Sequence, residues 1–321
     1  MDDSYKPDKR DFKIIEAIAD NARFSYSRIG KMTRISKDRV RERRFNLNKE
    51  KFILSYFPLI DYTKLGYRLF HVFVRFRNIF LDTYFFKKIC RCQSLVAFTR
   101  LAGKYDYELQ LSAQSQRELK KLLKNLRINK KNFQYVLVLS SSFRYHYTMQ
   151  VYSEKKHLID YAIQFKNSPL KDETTPLDRR ILRPLCSDAR RSTVSIAAEI
   201  GASEDIVRYR IKALIKKGII WRFYARTNKH RFGLNSYILL LKLDESNKIK
   251  YKELIKQSNI YYIKGCTGRK DLIINFYAKD NWHLIKTLDL IRKTFKEKLK
   301  QSELLILLDR YIFNPFPKVL S

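Results

Sequence analysis

From Thr175 onward the apolar residues recur at helical spacing. Ile181, Leu182 and Leu185 come first, Ile196 and Ile200 follow four apart, and Val207, Ile211 and Leu214 recur at four and three. The punctuation fits three short helices. Thr175-Pro176 reads as an N-cap and a first-turn proline, and Ser192 and Ser203 stand where the second and third helices need caps. Gly201 suits the positive φ of a tight turn, and Gly218 ends the third helix. This order predicts a helix-turn-helix, whose third helix is the one that enters a major groove.

The pattern then changes. Tyr237–Leu243 is a strand, followed by a polar helix at about 248–257 and strands at about 260–267 and 271–278. A long helix at about 280–299 leads to a last strand, Leu304–Leu308. That order is βαββαβ, the ferredoxin-like arrangement. Ile238–Leu241, Leu304–Leu308 and Tyr135–Leu139 are apolar in both alternation phases, so both faces of the sheet are expected to be buried. Helices cover one face. The other needs a partner sheet, from this chain or from another.

The chain repeats itself. Asp11–Phe76 aligns with Asp178–Leu243 at a shift of 167 without a gap, giving 15 identities in 66 positions. They include Ala22/Ala189, Arg23/Arg190, Ser25/Ser192, Ser36/Ser203, Arg41/Arg208, Arg43/Arg210 and Leu47/Leu214. Gly103-Lys104-Tyr105-Asp106 matches Gly268-Arg269-Lys270-Asp271 at a shift of 165. The first copy accordingly reads as strands Phe70–Phe76, Leu95–Leu101, Tyr107–Leu111 and Tyr135–Leu139, with helices at about 81–91 and 114–127. The expected class is α+β: two copies of a winged-helix-like helix-turn-helix domain, each followed by a ferredoxin-like βαββαβ effector domain. The boundaries are 8–60 and 66–148 for the first copy, and 176–228 and 233–315 for the second. A linker at 149–175 opens with a helix-like stretch at 154–166 and ends in Pro-containing polar sequence.

Charge changes the picture. Lys and Arg number 67 against 32 Asp and Glu, a net charge of +35. Residues 1–167 carry 35 basic and 16 acidic side chains and 168–321 carry 32 and 16, so the balances are +19 and +16. Both copies are polycations, and nucleic acid is the usual partner of such a surface. No stretch reaches the roughly 18 apolar residues of a membrane span, and the polar run Met1–Arg10 lacks the apolar core of a signal peptide. Four scattered cysteines fit neither a disulfide framework nor a zinc site. A cytoplasmic protein without cofactor or metal is expected.

The third helices carry the candidate chemistry. In the first copy Ser36 caps, and Lys37, Arg39, Arg41, Arg43 and Arg44 follow. Arginine reads guanine bidentately or clamps phosphate. In the second copy Ser203 caps and Arg208, Tyr209 and Lys212 face outward, with Arg210 at the edge, while Glu204 and Asp205 near the helix start repel phosphate. In the first copy Arg34 and Lys51 replace Gly201 and Gly218, and Arg44 occupies the core position of Ile211. Arg44 either packs its stem and sends its head outward, or the helix has rolled. The first copy is expected to supply affinity through phosphates. The second is expected to supply discrimination through Arg208, Tyr209 and Lys212.

Together these features resemble the Lrp/AsnC family of leucine-responsive, feast/famine transcription regulators, almost throughout and twice over. In the second copy the pattern is carried by Asp178-x-x-Ile-Leu, Asp188-Ala-Arg, Ile196-Ala, Ser203, Val207-x-x-Arg-Ile and Gly218-Ile-Ile. The resemblance implies double-stranded DNA as partner, sheets paired face to face, here within one chain as a pseudo-dimer, and further assembly. It also implies an amino-acid-like effector near the Gly-x-x-Asp hairpins, at Gly103, Asp106, Gly268 and Asp271; against it, glycine alone makes such a turn and aspartate caps it. Two rivals stand beside a regulator. One is an architectural DNA protein with little sequence choice. The other is an enzyme similar to siroheme decarboxylases, which needs basic and histidine residues gathered in the effector domain. His71, His146, His157, His230 and His283 are scattered and share no spacing.

Overall fold

The computed structural model describes residues 5–78, 82–146, 170–244, 254 and 259–320. The helix expected at 248–257 and the stretch at 154–166 lie outside the described residues, apart from Leu254. In chain order the elements are α1 (Lys9–Asp20), α2 (Tyr26–Thr33), α3 (Lys37–Lys49), β1 (Ile53–Ile60), β2 (Arg68–Phe76), α4 (Asp82–Cys90), β3 (Leu95–Ala102), β4 (Tyr107–Ala113), α5 (Gln116–Asn125) and β5 (Phe133–His146). The same succession then recurs as α6 (Pro176–Ser187), α7 (Thr193–Ile200), α8 (Glu204–Lys216), β6 (Ile220–Thr227), β7 (Asn235–Leu243), β8 (Ile260–Thr267), β9 (Leu272–Ala278), α9 (Asn281–Phe295) and β10 (Leu299–Phe313). The fold is α+β.

The chain divides by kind rather than into sequential copies. One compact unit holds both helix-turn-helices, in the residues through Ile60 and in Arg180–Leu234; the other holds Asp61–His146 and Asn235–Ser321.

In the first unit each trihelical core is apolar at the expected positions. Ile14, Ile18, Ile29, Val40 and Leu47 are fully buried, as are Ile181, Leu185, Ile196 and Val207. Ser25, Ser36, Ser192 and Ser203 cap their helices by accepting from backbone N–H groups. The lost glycines did not change the frame. Arg34 (φ 58°) and Lys51 (φ 56°) keep the left-handed backbone of Gly201 (φ 62°) and Gly218 (φ 67°). For a side chain with a Cβ this costs about 1–2 kcal/mol, partly offset because glycine loses more freedom on folding. Arg34→Gly and Lys51→Gly are each expected to stabilise the chain by a few tenths to about 1 kcal/mol. Denaturant midpoints check this, and a lower midpoint would mean that the side chain itself holds the turn.

The two helix-turn-helices are joined by a two-stranded antiparallel ribbon, β1 with β6, in which Phe57 faces Tyr224. The joint is reciprocal. Ala22 N–H donates to Phe223 O and Ala189 N–H to Tyr56 O, both at 2.9 Å. Arg23 donates to the carbonyls of Ala189 and Arg191, and Arg190 donates to those of Ala22 and Phe24. The repeated Arg23/Arg190 pair is thus a mutual clasp on backbone oxygens, and the unit has a pseudo-twofold relation between its halves.

In the second unit β3-β4-β2-β5 and β8-β9-β7-β10 each have the ferredoxin-like strand order. They do more than stack as two separate sheets. β5 also pairs with β8, and β10 also pairs with β3, closing an eight-stranded barrel. The expected Tyr135–Leu139 and Leu304–Leu308 were too short because β5 runs for 14 residues and β10 for 15, and the extra lengths form these seams. Closure removes the open edges that a four-stranded sheet would expose. Outward faces pack on helices, as Phe70, Val72, Val74, Phe98, Leu109 and Phe133 do. Inward, Phe73, Leu137, Leu139, Ile238, Leu240 and Ile273 form a shared apolar core between the sheets.

The barrel strands also bury a group of polar and charged side chains, which the apolar reading of the strands did not anticipate. His71 and Glu108 are 0% and 1% exposed, with His71 Nδ1 at 2.7 Å from Glu108 Oε1. Gln110 Nε2 donates to the same carboxylate at 3.2 Å, and Lys264 from the other sheet is buried nearby. Burial alone would push the Glu108 carboxyl up. The His71 hydrogen bond and the charges of Lys264, His71 and Arg310 outweigh it and hold the group at about 2.

Candidate nucleic-acid interface

The first-copy site rests on α3, whose buried positions are Val40 and Leu47. Lys37, Arg39 and Arg41 are exposed, as is Phe45 at 65%. Arg43 does not join them. Its Nη1 lies 2.9 Å from Asp8 and 3.1 Å from the buried Asp11, so it ties α3 to the start of α1. Burial works against the charged form of Asp8, but N–H groups of Asp11 and Arg10, together with Arg43, hold its carboxyl below the ordinary range. Arg43, expected to face DNA, is thus engaged within the trihelical unit. Arg44 packs its stem and sends its head to the Tyr26 hydroxyl, over the rings of Tyr26 (4.8 Å) and Tyr56 (5.7 Å). The helix has not rolled. A surface hollow of about 530 Å³ beside it is lined by Tyr26, Asp38, Arg41, Glu42, Arg44 and Phe45.

The second-copy site rests on α8, anchored by Val207, Ile211 and Leu214. Tyr209 (68% exposed) and Lys212 face outward, and Arg210 is half-buried at the edge. Arg208 is outward but engaged. It pairs with Glu204 one turn earlier and lies 3.9 Å from Asp205. Glu204 also accepts from the Thr193 hydroxyl at 2.7 Å; that bond and Arg208 hold its carboxyl below the ordinary range. The charge of Arg208, expected to serve discrimination, is answered here within its own helix. The sequence reading passed over Ile206 (46% exposed) and Phe45, although each lies off the buried stripe. Ser36 and Ser203 are exposed at the starts of the two helices, with their hydroxyls engaged as caps at 3.4 and 3.3 Å.

The four hairpin residues have structural work. Gly103 (φ 125°) and Gly268 (φ 136°) let each hairpin approach the last strand of the other sheet. A Cβ would stand 3.1 Å from Leu304 O at the first and 3.0 Å from Val138 O at the second. Asp106 accepts from Phe76 N–H and Asp271 from Leu243 N–H, both at 2.8 Å. The carboxylates expected to take an effector's amino group are engaged in holding strand ends.

A family model described as the AsnC-type helix-turn-helix domain matches residues 175–215. The HTH-type transcriptional regulator Ptr1 of Methanocaldococcus jannaschii is 37% identical over 110 residues, spanning 32% of this chain and 72% of that protein. The chain belongs to the Lrp/AsnC family. The HTH-type transcriptional regulator FL11 of Pyrococcus abyssi is 29% identical to this Lrp/AsnC chain over 119 residues, or 36% and 78% of the two lengths. Over its whole length the family member described here has the fold of the siroheme decarboxylase NirDL, with a TM-score of 0.62 at 13% identity, covering 96% and 93% of the two chains. At that identity the likeness speaks for fold alone. Among the described residues no helix is long and apolar enough to cross a membrane.

Proposed function

We propose that this chain is a DNA-binding transcription regulator that presents two helix-turn-helix units from one pseudo-twofold body. The observation that carries the reading is α3, a correctly capped third helix on which Lys37, Arg39 and Arg41 are all exposed. The names of the related regulators support it, and so does the net charge of +35. The barrel closes within the chain, which supports an intrachain pseudo-dimer. An amino-acid-like effector at the hairpins is supported by the resemblance only, and the engaged carboxylates of Asp106 and Asp271 speak against it.

Mapping of bound genomic sites is the test. Discrete sites are expected of a regulator, and uniform coating would mean an architectural protein. Affinity is expected to fall steeply with salt. If about six phosphates are neutralised, log K should drop against log salt with a slope near −5. A flat dependence up to physiological salt would remove the link between this charge and DNA.

The buried His71–Glu108–Lys264 cluster favours a second, enzymatic reading. His71 and Glu108 are shut from solvent, so a macrocycle would have to open the barrel to reach them. A tetrapyrrole absorbance band that copurifies with the protein would favour the enzyme, and its absence is expected.

A further inference from the structure

The two third helices hold equivalent places in a pseudo-twofold unit, yet their outward positions carry opposite chemistry. At a shift of 167 residues, Lys37 corresponds to Glu204, Arg39 to Ile206, Glu42 to Tyr209 and Phe45 to Lys212. Asp38 and Asp205 are the same residue at the same exposed place; Arg41 and Arg208 also match, and there the structure breaks the likeness. Arg208 is paired with Glu204, whereas Arg41 faces solvent from a helix that begins with a lysine at the equivalent place. The scaffold around these positions is similar on both sides, with serine caps and left-handed turns at matching positions.

We infer that the chain reads a non-palindromic DNA site, with guanine-containing sequence under α3 and thymine-rich sequence under α8. The inference rests on the DNA-binding function proposed above and adds what the DNA must look like. Exposed Arg39 and Arg41 match the paired acceptors of guanine, O6 and N7, which a guanidinium takes bidentately. Exposed Ile206 and Tyr209 offer apolar surface of the kind that meets the thymine methyl group. Glu204 and Asp205 at the start of α8 disfavour close phosphate approach there, so this half depends more on base contact than the α3 half does. A homodimer presents one surface twice and selects a palindrome. This chain presents two surfaces once each, and a palindrome can satisfy only one of them.

The test is selection of duplexes from a randomised pool by the full chain, followed by affinity measurements on three of them. These are the selected duplex and two palindromes that each double one of its halves. The selected sites should have dissimilar halves, and both palindromes should bind at least about tenfold more weakly, the cost of losing one good base contact. The double substitution I206R/Y209E places the α3 residues on α8. It should shift preference toward the palindrome of the guanine half, while salt-dependent binding to random duplex persists as evidence that the variant is folded. A palindrome that is enriched or bound as tightly as the selected site overturns the inference and leaves the DNA reading intact, as does a pool that shows no sequence preference. No binding to any duplex at low salt overturns the DNA reading itself, and this inference with it.

Discussion

Glu108→Ala is expected to destabilise the barrel by about 3–5 kcal/mol at neutral pH, the usual cost of removing one partner from a buried charge cluster. The substitution leaves His71 and Lys264 enclosed, at 0% and 3% exposure, without the carboxylate that both face. Glu108→Gln keeps the shape and one acceptor and should cost less. The pH dependence follows from the direction of the shift. The folded-state carboxyl is held at about 2, below its value of about 4.5 in the unfolded chain, so its stabilisation is fully present above 4.5 and is lost as pH falls toward 2. That linkage is worth about 3 kcal/mol at neutral pH and roughly 1 kcal/mol at pH 3. The gap between the native chain and Glu108→Gln should therefore narrow on acidification. Hydrogen exchange of the β2 and β4 amides reads this locally, without assuming that both units unfold together. An Ala variant with unchanged protection at pH 7, or a gap equal at both pH values, would mean that the cluster holds nothing.

What could be read from the sequence depended on how local the signal was. Caps at Ser192 and Ser203 and the turn at Gly201 are settled within a few residues, and the helices start and stop where those residues stand. The orientation of Arg43 and Arg44 was also legible. Val40, Arg44 and Leu47 recur at four and three, so that side of α3 had to face inward; the core place of Arg44 was read from this, and Arg43 one residue before it was not. The seams of the barrel were not legible, because β5 meets β8 and β10 meets β3 across more than 100 residues, and no short-range pattern sets that register. The same holds for the charged interior. His71 stands alone in sequence and meets Glu108 only through the pairing of β2 with β4, while Lys264 arrives from the opposite sheet.

The joint substitution Lys37→Ala, Arg39→Ala and Arg41→Ala is expected to weaken binding to random duplex by about 10²-fold near physiological salt, and to the selected duplex by more, because its guanine contacts go with the charge. Each phosphate contact contributes roughly 0.9 to the slope of log K against log salt, so losing three should lower the slope by about 3 and the affinity by about two decades at 0.15 M. All three side chains are exposed on α3, and among the described residues none is held in an ion pair, so the core of Val40 and Leu47 should stand. Two contrasts make the result specific. Arg43→Ala should cost stability rather than salt dependence, because it strips the buried Asp11 of its guanidinium. Arg208→Ala should leave the slope nearly unchanged, because Glu204 already answers that charge. If the triple variant keeps the full salt slope, the phosphates are met elsewhere on the chain. The α3 face would then lose its claim to be the main electrostatic contact.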